Sequence, residues 1–208
     1  WKEQYGFSSD LQKYVLEWLE SIDTSGVCPI KKSFIGNCSD IFINFNYTDV
    51  LERVYGVKTV LHLHGGVPSC SAIPPIMGHG NKFIIDYYKR RAQCASEEFV
   101  EWEESICSAI AKFCSSLYKD TDAIISRNES FFSSLKDIEQ VVSIGLSFGN
   151  VDTPYLLRIA EEIKPTSKWI IYYYSEDDKK RLKDVFGILG LSRKFETYFL
   201  PSRMFWDD

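Results

Sequence analysis

The sequence predicts an α/β protein with a mainly parallel sheet and helices on both of its faces. Three observations carry that reading: short β-rich runs recur along the 208 residues, segments of helical period fall between them, and the runs are almost continuously apolar. Alternating strand and helix imply right-handed crossovers and parallel pairing. Strands covered on both sides carry apolar residues at successive positions, not only at every second one. An apolar fraction of 45% is enough for one core of ordinary size, so a single domain over residues 1–208 is expected.

Taken in order, residues 10–22 repeat Leu11, Tyr14, Val15, Leu16, Trp18, Leu19 and Ile22 at helical spacing. Gly26, Pro29, Gly36 and Asn37 then break the chain before a short strand over 41–45 (IFINF). Asp49, three residues ahead of Glu52, offers a capping box that opens a short helix. A second strand over 58–63 ends at Gly65-Gly66. Residues 67–81 hold Pro68, Pro74, Pro75, Gly78 and Gly80, and read as a long binding loop, the best candidate for a mobile lid.

Apolar residues at helical spacing mark a long helix over 96–117, with further helical pieces up to 135. The remainder alternates: strand 140–144, helix 154–163, strand 169–174, helix 175–189 stopped by Gly190, and strand 195–200. The strands at 41–45, 59–63, 141–144 and 169–174 are expected to share one sheet. No internal repeat or low-complexity tract interrupts this order.

Charge narrows the function classes. With 24 Lys plus Arg against 29 Asp plus Glu, the net charge is -5. Non-specific nucleic-acid binding needs a basic surface that displaces counterions, which leaves only a local patch such as Lys89, Arg90 and Arg91. No apolar run spans a bilayer and the amino end shows no basic-then-apolar signal segment, so a soluble, cytoplasmic protein without membrane partners is expected. The six cysteines, Cys28, Cys38, Cys70, Cys94, Cys107 and Cys114, show no C-x-x-C pair. They read as reduced thiols, with Cys107 and Cys114 on one helix face packing as small hydrophobes.

Three constellations could carry chemistry. The first is Asn44-Phe45-Asn46-Tyr47-Thr48-Asp49, where a buried strand meets a helix. Ligands of open α/β sheets sit beyond the carboxyl ends of strands, which places Asn46 toward a ligand; the competing reading makes these residues an Asx turn and a helix cap. The second is His62-Leu63-His64-Gly65-Gly66, with both histidines on one strand face. Here a general base at His64, a metal site of His62, His64 and His79, and histidines satisfied by the backbone compete. No further Cys or carboxylate at recognisable spacing points to a metal, and none is expected. The third is the run from Ser143 to Asp152, a strand entering a glycine-containing turn and then a helix. Free N–H groups at such a helix start suit phosphate or ribose; a plain strand-to-helix turn capped by Asp152 explains the run equally well.

Together the segments IFINFNYTDVLERVY (41–55), VLHLHGG (60–66), SRNESFFSSL (126–135) and VVSIGLSFGNVDTPYL (141–156) resemble the bacteriophage abortive-infection AbiH family across most of the chain, in order and in rough spacing. That family is in turn similar to sirtuin-like domains, which bind NAD in a Rossmann-like fold. The resemblance implies catalytic roles for Asn46 and His64. It also implies a nucleotide cradle of Asn44, Thr48, Asp49 and Gly65, together with Gly145, Ser147 and Asp152 from the later glycine-serine motif. Thr48 stands where the sirtuin pattern has an Asp, with Asp49 adjacent. The family's amino-terminal glycine motif, G-N-G-F-D in the sirtuin pattern, has no counterpart here, so the domain is expected to be incomplete at its start.

The function implied is phage defence through a pocket for NAD or a related nucleotide, with NAD hydrolysis as its chemistry. The alternative is a non-catalytic nucleotide-sensing or protein-binding module. Its partners would be the nucleotide, a second copy of the chain or another component of a defence system. The Asn46–His64 group and the Gly145–Ser147–Asp152 group are expected to converge on one pocket, since all follow strand ends.

Overall fold

The computed structural model describes residues 7–30 and 40–207. Gly36, Asn37 and Cys38 therefore lie outside the described residues. The chain divides into two compact units, Trp1–Asp120 and Thr121–Asp208, and each is described by itself.

The first unit contains α1 (Phe7–Glu20), β1 (Phe42–Asn44), α2 (Val50–Arg53), β2 (Val60–His62), α3 (Lys82–Glu97) and α4 (Glu101–Ser116). β1 and β2 pair in parallel, Phe42 opposite Val60, Ile43 opposite Leu61 and Asn44 opposite His62. Both strands stop early for a local reason. The Asn44 side chain accepts a hydrogen bond from the Asn46 amide at 2.9 Å and donates to the Thr48 carbonyl at 3.3 Å, an Asx-type turn that bends the chain out of the strand. After His62 the Gly65 amide turns back to the His62 carbonyl at 3.2 Å. α2 begins where Asp49 sets it, but no capping box forms: the Asp49 carboxylate takes the Ser69 hydroxyl at 2.5 Å and Glu52 takes His62.

The helix expected over 96–117 is α4, which starts later, at Glu101, and a further helix, α3, that the sequence reading did not mark precedes it. α3 ends at Glu97, the chain reverses, and α4 starts at Glu101, giving an antiparallel αα-hairpin. At the reversal Phe99 adopts φ 59 and is 91% exposed, while the Val100 amide reaches back to the Ala95 carbonyl at 2.8 Å. Asn81 caps α3 by accepting from the Ile84 amide, and Arg91 ties the hairpin to Glu103 with Nε–Oε1 at 2.6 Å. Cys107 and Cys114 are buried on one face of α4, and both are free thiols.

The segment 67–81, expected to be a lid, is bonded to its surroundings along its length. The Val67 amide donates to the Tyr47 carbonyl at 2.8 Å, the Ile76 amide to the His64 carbonyl at 2.7 Å, and the His79 amide to the Leu117 carbonyl at 2.9 Å. The Tyr47 hydroxyl adds a bond to the Ile76 carbonyl at 3.1 Å. Gly78 sits so close to the end of α4 that a Cβ would meet the Leu117 carbonyl oxygen at 1.7 Å. We expect the Ile76 and His79 amides to exchange with solvent as slowly as those of β2. Exchange of both at the rate of an open loop would restore the lid.

The second unit runs α5 (Thr121–Arg127), α6 (Glu129–Ser133), a 3₁₀ turn (Ser134–Asp137), β3 (Gln140–Ile144), α7 (Thr153–Glu162), β4 (Lys168–Tyr173), α8 (Glu176–Ile188), α9 (Leu191–Lys194), β5 (Glu196–Pro201) and α10 (Ser202–Trp206). Its sheet is parallel in the order β3-β4-β5. β4 lies in the centre with Trp169, Ile171 and Tyr173 buried on one face. On that face Trp169 meets Phe186 of α8 with ring centroids 5.4 Å apart; on the other, Tyr172 meets Phe205 of α10 at 5.1 Å. The helix boundaries follow the sequence chemistry. Ser175 caps α8 by accepting from the Asp178 amide, and Gly190 takes the left-handed φ of 72 that ends it.

The single sheet is corrected. β1 and β2 form a two-stranded sheet of their own, separate from the three-stranded sheet that holds β3 and β4. Strands of three residues closed at once by Asx and glycine turns leave little backbone to extend a ladder, and β3 is an edge with Val142 43% exposed.

Candidate functional site

The parallel register of the first unit builds the site. Asn44 and His62 are paired across β1 and β2, so Asn46 and His64 each stand two residues beyond that pair, past the carboxyl ends of neighbouring strands. The Asx turn of Asn44, which is itself buried, leaves Asn46 exposed. The Asx turn of the competing reading is present, with Asn44 and not Asn46 as its acceptor. Thr48 offers its carbonyl to that turn, and Asp49, also buried, holds Ser69 and lies 3.9 Å from Arg53.

His64 is 3% exposed. Its ring meets Phe45 edge-on with centroids 5.8 Å apart, and its Nδ1 lies 3.3 Å from Nζ of Lys119. A lysine ammonium only donates, so Nδ1 accepts and the ring proton belongs on Nε2. Burial, reinforced by the Lys119 charge and opposed by a hydrogen bond to the Phe45 backbone, pushes the His64 pKa down to about 4. The imidazole is thus neutral at pH 7. Lys119 is 7% exposed and lies 3.5 Å from the Tyr47 hydroxyl, with Nζ 5.9 Å from the centroid of the Tyr47 ring.

Gly65 and Gly66 are demanded by the backbone around them. Gly65 has φ 71, and a Cβ there would meet the Pro74 carbonyl oxygen at 2.3 Å. At Gly66 it would meet Cys70 Sγ and the Tyr47 carbonyl oxygen, both at 2.9 Å. The first unit therefore offers an exposed amide, a neutral imidazole, an ammonium and a phenol at one sheet end. Such groups can orient a hydroxyl or carbonyl and stabilise negative charge.

In the second unit Gly145 takes φ 68 directly after β3, and Ser147 is exposed. Ser147 offers its carbonyl to the Arg181 guanidinium. Phe148, with φ 49, is buried against Phe186, so the core holds this turn in a left-handed conformation that bulky residues rarely adopt. Asp152 is buried at the start of α7, and its amide donates to the Gly149 carbonyl at 2.8 Å. Its carboxylate makes no capping bond to the helix.

Sequence reasoning missed Tyr47, Lys119 and a cluster of unlike donors. The His62–His64–His79 combination is not what gathers. Among the described residues the donor atoms that converge are those of Glu52, His62 and Cys70, all within 4.8 Å of one another. His62 Nε2 lies 2.7 Å from Glu52 Oε1, and Cys70 Sγ 3.7 Å from His62 Nδ1. His79 instead accepts the Asn81 amide at 3.1 Å. Burial, then the carboxylates of Glu52 and Asp49, push the Cys70 thiol up to about 11.

No curated protein and no solved structure matches the chain. A family does: residues 2–173, most of the 208, match the family described as bacteriophage abortive infection AbiH. The four segments noted in the sequence all lie inside that span, and with a match of this extent the chain belongs to the AbiH family.

Proposed function

We propose that this AbiH-family protein acts in phage defence by binding NAD or a related nucleotide at the carboxyl ends of β1 and β2 and hydrolysing its nicotinamide–ribose bond. The observation that carries the reading is the register: Asn46 and His64 occupy equivalent positions beyond paired residues of adjacent parallel strands, the place where α/β sheets receive ligands. Cleavage of that bond passes through an oxocarbenium-like state, so a site must orient the ribose and the attacking water. The exposed Asn46 amide is suited to hold a ribose hydroxyl or the water, and His64 to accept or relay a proton. Lys119 supplies positive charge beside His64, favourable to an anionic nucleotide. Asn44 and Gly65 shape the turns that present these groups, and Thr48 and Asp49 extend the cradle. The turn of the second unit that holds Gly145, Ser147 and Asp152 is proposed, by itself, as a nucleotide-binding turn.

A second reading, a non-catalytic nucleotide sensor, is favoured by the depth of His64, which at 3% exposure is closed to bulk water. One experiment separates the two. The protein is incubated with NAD while free nicotinamide and bound NAD are both measured. Nicotinamide release supports the hydrolase, saturable binding without release supports the sensor, and neither would remove the nucleotide from the account.

A further inference from the structure

Glu52, His62 and Cys70 come from three separate segments: α2, the end of β2 and the turn after Gly66. Each offers a different donor, an oxygen, a nitrogen and a sulfur, within 4.8 Å of the others. The His62 side chain is 3% exposed, so its ring is fixed by the fold. Glu52 Oε2 is buried and takes no hydrogen bond among the described residues, although a carboxylate oxygen withdrawn from water ordinarily finds a partner. His62 Nε2 lies 2.7 Å from Glu52 Oε1, and Cys70 Sγ lies 3.7 Å from the other ring nitrogen, Nδ1.

We propose that these three side chains form a site for one thiophilic divalent cation of the Zn²⁺ class. Sulfur and imidazole donors with one carboxylate select zinc over magnesium or calcium, which take oxygen. At zinc–ligand lengths of about 2.0–2.3 Å, tetrahedral ligands stand roughly 3.5 Å apart. The separations here, from 2.7 Å to within 4.8 Å, bracket that value. A cation bound at Nε2 widens the His62–Glu52 separation and requires the Cys70 side chain to swing from the Nδ1 side of the ring toward it. Cys70 is only half-buried, which leaves its side open to a water as fourth ligand. The bound ion would clasp α2, the end of β2 and the loop that follows, the segment carrying His64 and Gly65.

The reduced full chain, stripped with chelator, is titrated with Zn²⁺ alone and, separately, with Co²⁺ alone as a spectroscopic substitute. The expected result is one ion per chain and a thiolate-to-cobalt charge-transfer band in the near ultraviolet. Cys70→Ser should abolish the band and Cys94→Ser, at an exposed thiol, should keep it. Glu52→Gln should weaken Zn²⁺ binding by about tenfold or more. The absence of that band in the unaltered protein overturns the site without any variant, as does a band indifferent to Cys70→Ser. Neither readout involves NAD, so the site and the nucleotide pocket can fail independently.

Discussion

A Gly65→Ala variant is expected to lose about 2–5 kcal/mol of stability. The left-handed φ of 71 costs a side-chain-bearing residue about 1–2 kcal/mol. The added Cβ would also lie 2.3 Å from the Pro74 carbonyl oxygen and 2.6 Å from that of Ile73. Those are backbone atoms, and the bonds from Gly66 to Ile73 and from Ile76 to His64 hold that stretch in place. Relieving such overpacking typically costs about 1–3 kcal/mol more. Against a usual total of about 5–15 kcal/mol this is a large loss. Gly56 is the control, because it has φ 69 and nothing within 4 Å of a built Cβ. Gly56→Ala should cost only the conformational part, about 1–2 kcal/mol. Urea denaturation followed by circular dichroism compares the two; equal losses would mean that loop 67–75 does not close on Gly65 as described.

If the protein hydrolyses NAD, Asn46→Ala and His64→Ala should each slow nicotinamide release, by about 10²–10⁴-fold for a residue that moves a proton. The two variants part company in stability. Asn46 is exposed and its side chain does not make the turn, so Asn46→Ala should stay within about 0.5 kcal/mol of the parent. His64→Ala takes a hydrogen-bond partner from buried Lys119, so a loss of about 1–3 kcal/mol accompanies the loss of rate. Asn44→Ala completes the set. It removes the Asx turn and should destabilise by about 1 kcal/mol, lowering activity only through the position of Asn46. Unchanged nicotinamide release from a folded Asn46→Ala protein would take Asn46 out of the chemistry.

The sequence made the second unit nearly readable. Its strand–helix alternation is carried by local chemistry: Ser175 as a cap, Gly190 as a stop and a central strand of large apolar residues. The first unit was harder because its decisive interactions are not local. α3 buries only Ile85, Ala92 and Ala95, a stripe too narrow and too small to stand out from its charged residues. The break at Phe99 depends on a left-handed residue that gives no compositional warning, since glycine usually takes such positions. The positions of Asn46 and His64 just past strand ends were legible because strand ends are marked by turn residues. The contact of Lys119 with His64 was not, because a lysine just past a helix ordinarily points into water. Glu52, His62 and Cys70 are separated by ten and eight positions on three segments. No short motif joins them, and Glu52 looked like half of a capping box.

The account rests most on the carboxyl ends of β1 and β2 as the place where a nucleotide binds. Hydrogen exchange on the full chain, with and without saturating NAD, tests it at the residues concerned. Slower exchange on NAD addition at amides 46–49 and 64–67, with little change along α8, is the predicted result. Unaltered exchange at both of those segments, whether NAD fails to bind or protects another region, would contradict it.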